Sequence, residues 1–378
     1  MKSAPSIVIV AGEASGDAHG ARVLRALKGM YPDLTAWGFG GDRLAEEGME
    51  IREHVDRLSV MGIWEVLKQY GYFRRVFHQL VSEIRKRKPD LVLLVDYPGF
   101  NLRLAAALQG DGIPIVQYVC PQVWAWKKKR IPKMEKVLDG LICIFPFEKA
   151  VFEGSPLPVY DCGHPMVEET LNVEADSGWG DGVKLALVPG SRLQEIERIF
   201  VPMLETAALV RKELPELQIR VPAANRECKQ RMRALRDARP ELPAVELIDG
   251  HMREVVKGAD AALVTSGTAT LETALLGTPM LIVYKTSNLT YAIGKRVVTV
   301  AYIGMVNLIA KRELCPEFIQ DAAEPAVMAD SLLPLLRDSR ERREMKAGLA
   351  DVRKQLTSDQ GGKRVAEVLS SYLRGESR

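Results

Sequence analysis

Two stretches in the second half of the chain place small residues, a hydroxyl and a charge where an apolar run gives way to a helical pattern. In "LALVPGSRLQEIERIF", residues 185–200, the run ends at Gly190, Ser191 follows as a natural N-cap, and Arg192 lies in the first predicted helical turn. Free N–H groups at a helix start favour an anion, and a guanidinium adds a forked donor for phosphate oxygens. In "ADAALVTSGTATLETALLGTPMLIVYK", residues 259–285, the order repeats, with Ser266, Gly267 and Thr268 in the loop and Glu272 one turn inside the helix. A carboxylate there either hydrogen-bonds the hydroxyls of a ribose or complements the helix dipole. Two such loops, one with an arginine and one with an acid, fit a nucleoside diphosphate. Between them, Gly250-His251-Met252 turns ahead of a short helix and can pass its backbone beside a nucleobase, with His251 read as a turn residue.

The first half carries a different set. "AGEASGDAHG", residues 11–20, follows the apolar "SIVIV" and holds Gly12, Gly16 and Gly20. Its G-x-x-x-G-x-x-x-G spacing departs from the dinucleotide fingerprint G-x-G-x-x-G, and Glu13 and Asp17 would repel a pyrophosphate. Spacing and charge therefore both argue against a cofactor loop here, and His19 is read as structural. In "PDLVLLVDYPGFNLRLA", Asp96 comes directly after a buried strand, Tyr97-Pro98-Gly99 turns the chain, and Asn101 is expected to cap the next helix. The carboxyl edge of a parallel sheet is where α/β folds place their chemistry, and a desolvated carboxylate there can act as a general base. An aspartate that merely closes a turn is the other reading. Glu13 is a second candidate base.

Two further segments mix aromatic and basic residues. Residues 59–80 hold Trp64, Tyr72, Phe73, Arg74 and Arg75, and residues 121–130 hold Trp124, Trp126, Lys127, Lys128, Lys129 and Arg130. Tryptophan and tyrosine beside cations suit a lipid headgroup region. Core packing for the aromatics and solvation for the charges is the competing explanation.

The elements that must position these residues alternate. Short apolar runs at 6–11, 35–39, 91–95, 113–119, 140–144 and 158–162 read as strands buried on both faces, with helical patterns at 16–29, 62–86, 100–109 and 130–137 between them. After a linker at 166–182 the alternation restarts, with strands at 184–188, 217–221, 245–248, 261–264 and 280–283. Helical segments end the chain. The expectation is an α/β architecture of two doubly wound domains facing a cleft: residues 1–165, residues 183–340, and a helical tail at 341–378 that packs back on the first domain.

Composition bounds the chemistry. Lysine and arginine number 52 against 49 acids, and a net charge of +3 suggests no nucleic-acid partner. Five scattered cysteines without a C-x-x-C pair, and five separated histidines, suggest neither a disulfide framework nor a metal site. No apolar run approaches the roughly 18 residues of a membrane span. The expected location is cytoplasmic.

The motifs "AGEASGD", "VMGIWEVL", "VDYPGFN", "YVCPQVWAWKKKR", "FPFEK", "GHPM", "PGSRLQEIE", "SGTATLE" and "VNLIA" occur in order across residues 11–310. Together they closely resemble the lipid-A-disaccharide synthase family, inverting glycosyltransferases of the GT-B fold. The resemblance implies transfer from UDP-2,3-diacylglucosamine to 2,3-diacylglucosamine 1-phosphate (lipid X), giving a β-1,6-linked disaccharide 1-phosphate and UDP. It places the donor in the second domain and the acceptor in the first, without cofactor or metal, so that Gly12, Ser15, Gly16 and Asp17 are expected to form an acceptor-side wall. By similarity Arg192 meets the UDP phosphates, Glu272 the ribose, Asn307 the neighbourhood of the donor, and Asp96 the catalytic step. It further implies peripheral contact with the cytoplasmic face of the inner membrane, and a homodimer formed by exchanging C-terminal elements. Some members carry Asp where this chain has Gly99. A UDP-sugar epimerase of the same fold, a nicotinamide oxidoreductase and a non-catalytic lipid-binding protein are the rival readings.

Overall fold

The computed structural model describes residues 4–58, 70–124, 128–287, 291, 300–357 and 361–376. The chain divides into two compact units, Met1–Pro165 with Ser358–Arg378, and Met166–Thr357.

The first unit is built on seven strands: β1 (Ser6–Ala11), β2 (Thr35–Gly40), β3 (Glu50–His54), β4 (Leu91–Val95), β5 (Ile115–Tyr118), β6 (Gly140–Cys143) and β7 (Val159–Asp161). All pair in parallel in the order β3-β2-β1-β4-β5-β6-β7. Every residue of "LVLLV" in β4 is buried, as expected for a strand covered by helices on both faces. The sheet edge was not legible: β3 reads "EIREH", with no apolar run, because an edge strand has only one paired side and tolerates charge.

The second unit repeats the plan with β8 (Lys184–Val188), β9 (Gln218–Ala223), β10 (Glu246–Asp249), β11 (Ala261–Thr265), β12 (Met280–Tyr284) and β13 (Glu317–Ile319). Their order is β10-β9-β8-β11-β12-β13, again all parallel. In both sheets the strand order reverses direction once, at β1/β4 and at β8/β11. Doubly wound sheets open a crevice at that switch point, beyond the carboxyl ends of the two central strands. Glu13 and Asp96 follow β1 and β4, and Arg192 and Ser266 follow β8 and β11, at these two places, while Gly250-His251-Met252 follows the edge strand β10.

The glycines of residues 11–20 serve this frame. In helix Ala14–Met30, a Cβ on Gly16 would lie 3.4 Å from the Ala11 side chain and one on Gly20 would lie 3.2 Å from Leu44. Their spacing of four keeps one helix face bare, so the helix lies close on the sheet. Gly16 is buried on that face, which puts it in the packing against Ala11 and Val95 rather than on an exposed wall. Asp17 is also corrected. It is buried, and its carboxylate accepts from the backbone N–H groups of Gly41 (2.6 Å), Arg43 (3.1 Å) and Leu44 (3.2 Å), which holds the start of helix Asp42–Glu46. Asp17→Ala is expected to cost about 2 kcal/mol of stability. A lower urea midpoint with unchanged turnover per folded molecule would bear this out; lost turnover at full stability would return Asp17 to the site.

Two boundaries differ from expectation. Residues 166–182 are docked on the second unit: Asp176 pairs with the buried Arg220, which also meets Glu246 at 2.7 Å, and the Trp179 indole donates to the Val255 carbonyl at 3.1 Å. A buried guanidinium needs carboxylate partners, and this stretch supplies one. The terminal helices part company. Helix Arg340–Leu356 belongs to the second unit, where Arg342 donates to Asp260 at 2.8 Å. Helix Gly361–Leu373 packs on helix Ala14–Met30 in the first unit, and Tyr372 donates to the Asp139 carbonyl at 2.9 Å.

Candidate active site

In the second unit, the loops after β8, β10 and β11 line one cavity of about 560 Å³. Gly190, Ser191, Arg192, Met252, Ser266, Gly267, Thr268 and Glu272 all border it. The volume suits a nucleotide-sized ligand. Helices Leu193–Glu213 and Thr268–Leu276 both begin at its edge, so their first-turn amides and dipoles favour an anion there. Ser191 is not the N-cap of its helix. Gly190 turns the chain at φ 115°, which moves the cap to Arg192 and leaves the serine exposed ahead of it.

The Arg192 guanidinium is 69% exposed and donates to Glu195 Oε1 at 3.0 Å. A salt bridge this exposed is worth little, so the arginine is free to exchange its partner for a phosphate. The turn Gly250-His251 has two successive left-handed residues, φ 68° and 52°, and His251 caps helix Met252–Gly258, which fits its reading as a turn residue.

Glu272 has a partner the sequence did not reveal. Arg253 donates from Nε to Glu272 Oε1 at 2.8 Å and pairs through Nη2 with both Glu272 and Glu169. The guanidinium holds the carboxylate in a fixed orientation. The only local signal was position, since Arg253 directly follows Met252 in the turn that borders the cavity.

Asn307 lies elsewhere. It is fully buried, its amide donates to the Cys315 carbonyl at 2.7 Å and Glu317 at 2.9 Å, and its oxygen accepts from Leu314 and Cys315. All its hydrogen-bonding groups hold the 311–317 turn, so direct contact with a donor is ruled out in this structure.

In the first unit, Glu13 follows β1 and Asp96 follows β4, on the two sides of the switch point. Burial pushes the Asp96 carboxyl above its usual range, opposed by a backbone hydrogen bond at Tyr97. Glu13 is raised as well, by partial desolvation and then by the negative charge of Asp96. Gly12 is a close-approach position, but what approaches is the Tyr97 ring: a Cβ at Gly12 would lie 2.3 Å from it. Tyr97 in turn stacks on Phe100 at 5.7 Å. Ser15 stands exposed at the start of its helix. Asn101 does not cap helix Pro98–Ala107; Tyr97 is the N-cap, and Asn101 is buried. Gly99 is exposed, with open space where its side chain would be.

The aromatic-basic segments divide. Tyr72 and Phe73 lie half-buried against the first unit's core in helix Tyr70–Arg87, while Arg74 and Arg75 are exposed. Trp124 is half-buried and donates to Glu148 Oε1 at 3.2 Å, so it too is committed inward. Lys128, Lys129 and Arg130 form a short 3₁₀ turn, with the Lys129 side chain exposed. Trp64, Trp126 and Lys127 lie outside the described residues.

Cys120, Cys143 and Glu148 bring their ligand-type atoms within 4.8 Å of one another, a proximity that spacing alone concealed. The Glu148 carboxylate already accepts from the Ile144 and Phe145 amides, and burial pushes it up to about 7. The adjacent Cys120 thiol and burial push Cys143 far upward, which favours the thiol over the thiolate a metal needs. The trio reads as packed core.

The lipid-A-disaccharide synthetase family model matches residues 7–369. The chain belongs to that family. Lipid-A-disaccharide synthase from Anaeromyxobacter sp. (strain K) is 40% identical over 374 residues, 97% of each chain. The enzyme of that name from Myxococcus xanthus (strain DK1622) is 37% identical over 380 residues, 99% of each. Family membership makes the chain a glycosyltransferase of lipid A biosynthesis. Among solved structures, the calicheamicin glycosyltransferase matches with a TM-score of 0.62 at 14% identity, covering 99% of both chains. UDP-GlcNAc 2-epimerase from Neisseria meningitidis bound to UDP-GlcNAc matches with a TM-score of 0.63 at 13% identity, covering 97% of this chain and all of the other. At such identities the likeness is one of fold, the two-domain GT-B type. No helix among the described residues is long and apolar enough to cross a membrane.

Proposed function

We propose that the chain joins UDP-2,3-diacylglucosamine to 2,3-diacylglucosamine 1-phosphate by a single inverting displacement. The observation that carries this reading is the cavity at β8/β11, which gathers the arginine, two helix starts and an anchored carboxylate in a member of this family. The diphosphate meets Arg192 and the two helix N-termini, and Glu272 accepts from the ribose hydroxyls. The turn 250–252 lies along the base. Asp96 takes the proton of the acceptor 6-hydroxyl as its oxygen bonds to the donor anomeric carbon. The bond from that carbon to the UDP oxygen breaks, and the electron pair leaves with UDP. Glu13, beside Asp96, accepts a hydrogen bond from the acceptor sugar. Positive charge on the leaving side comes from Arg192 and the helix dipoles. Acyl chains on both substrates need a lipid surface nearby, and Arg74, Arg75, Lys129 and Arg130 give the first unit cations for anionic headgroups at the cytoplasmic membrane face.

UDP release separates this reading from its rivals. The transferase releases UDP only when both diacylated sugars are present; an epimerase would convert the UDP-sugar alone, and that outcome would replace the reading. Arg253→Met tests the anchored carboxylate. Its loss should raise the donor KM roughly tenfold with kcat nearly unchanged, the mark of an interaction made equally in ground and transition states. Steady-state kinetics with varied donor reads it.

A further inference from the structure

The chain reverses sharply where β4 and β5 end, in conformations its residues do not favour. Asp96 (φ 49°), Tyr97 (φ 45°) and Val119 (φ 68°) are all left-handed, and a β-branched residue such as Val119 is an outlier there. Strain of this kind persists only where neighbours over-determine it, and it clusters at functional sites. Two buried amides supply the constraint. Asn101, reaching back from helix Pro98–Ala107, donates from Nδ2 to the Asp96 carbonyl at 2.7 Å, with the Val95 and Val10 carbonyls at 3.4 Å. Gln117, in the middle of the sheet on β5, places Nε2 3.1 Å from the same Asp96 carbonyl, 3.1 Å from that of Tyr118 and 3.2 Å from that of Val119.

Both side chains are fully buried, and the neighbours of each amide nitrogen are carbonyl oxygens, so nitrogen must face them. That orientation leaves Asn101 Oδ1 and Gln117 Oε1 without a hydrogen-bond partner among the described residues. Burying a lone amide oxygen is unfavourable, and an apolar residue at either position would avoid it. The two nitrogens converge on one oxygen and use both of its lone pairs. They thereby fix the Asp96 peptide, and with it the direction in which the Asp96 side chain leaves the backbone.

We propose that Gln117 and Asn101 are positioning residues that clamp the Asp96 carbonyl and so aim the Asp96 carboxylate at the acceptor hydroxyl. This rests on the reading of Asp96 as the base. Among the described residues, the charged group that bears on that carboxylate is Glu13, at the start of helix Ala14–Met30, and the Tyr97 backbone N–H donates to it. Glu13 sits on a different element from the clamped peptide.

The test is kinetics of Gln117→Met, Asp96→Asn and the double variant, with melting curves to show that each is folded. Gln117→Met, which keeps side-chain length and removes the amide, should lower kcat roughly 10- to 100-fold, the scale of a small misplacement of a reacting group. Its donor KM should stay at the wild-type value, because the donor loops belong to the other unit. The released carboxylate relaxes toward water, so the acid limb of its kcat profile should move to lower pH, and an unchanged melting curve distinguishes this from general loosening, which would also hydrate the carboxylate. Adding Gln117→Met to Asp96→Asn should cost nothing further, since Gln117 acts through Asp96. If Gln117→Met does not fold, Asn101→Ser carries the same expectations. A kcat within twofold of wild type, or a double variant that loses the full product of both single effects, overturns the clamp while leaving Asp96 as the base. Near-normal turnover by Asp96→Asn overturns the base itself and the clamp with it.

Discussion

Asp96→Asn is expected to reduce kcat by roughly 100- to 10,000-fold, the range for removal of a general base, with the donor KM little changed. The amide keeps the size of the side chain but cannot take the acceptor proton. The pH profile is the more telling readout. Burial raises the Asp96 carboxyl above its ordinary range, and the base works only when ionised. Activity is therefore full above the raised pKa and lost as pH falls through it, at a higher pH than an exposed aspartate would show. In Asp96→Asn that limb should vanish from the residual rate. Glu13→Gln is the companion variant. If Glu13 were the base, it would show the larger loss and Asp96→Asn would retain most of the turnover.

Arg192→Ala is expected to lower kcat by roughly 100- to 1,000-fold, about 3–4 kcal/mol of barrier, the scale for deleting one donor aimed at developing charge. The arginine is largely exposed and among the described residues pairs only with Glu195 three residues on, so the variant should melt like wild type. Arg192→Lys should recover part of the rate, because an ammonium supplies charge without the fork that meets two phosphate oxygens. A rise in donor KM with unchanged kcat would show that Arg192 only binds the diphosphate and does not stabilise its departure.

The residues that could be placed from sequence were those whose role depends on the chain immediately around them. Gly190, Arg192, Ser266, Gly267 and Thr268 sit where a strand ends and a helix begins, and that succession is written in neighbouring residues. So are the buried strands, because a parallel strand covered on both faces needs a continuous apolar run. The misplaced residues take their roles from partners distant in the chain. Asp17 reads as a polar group in a glycine-rich loop until Gly41, Arg43 and Leu44 bring their amides to it. Asn307 reads as a site residue until the 311–317 turn folds over it. Tyr72 and Phe73 form an aromatic stripe, and only the packed core shows which way the stripe faces.

Gly12, Gly16 and Gly20 are the most instructive case. Gly16 and Gly20 lie on one buried helix face, a pattern their spacing of four could have shown, whereas Gly12 precedes the helix and makes room for the Tyr97 ring. Gln117 left a fainter sign, a single amide inside an otherwise apolar strand, and Arg253 left almost none. Both act on a residue that was itself recognised, Asp96 in one case and Glu272 in the other. Supporting residues of this kind are set by tertiary contact, so they emerge only when the strand ends are brought together.

The most direct test of the account is the stereochemistry of the product. The folded protein is incubated with both diacylated sugars, and the disaccharide is isolated and its new anomeric centre read by proton coupling. A single displacement assisted by Asp96 predicts one β-1,6-linked disaccharide monophosphate, formed in step with UDP. An α-linked product, or no disaccharide from protein that is folded and binds UDP, would contradict it.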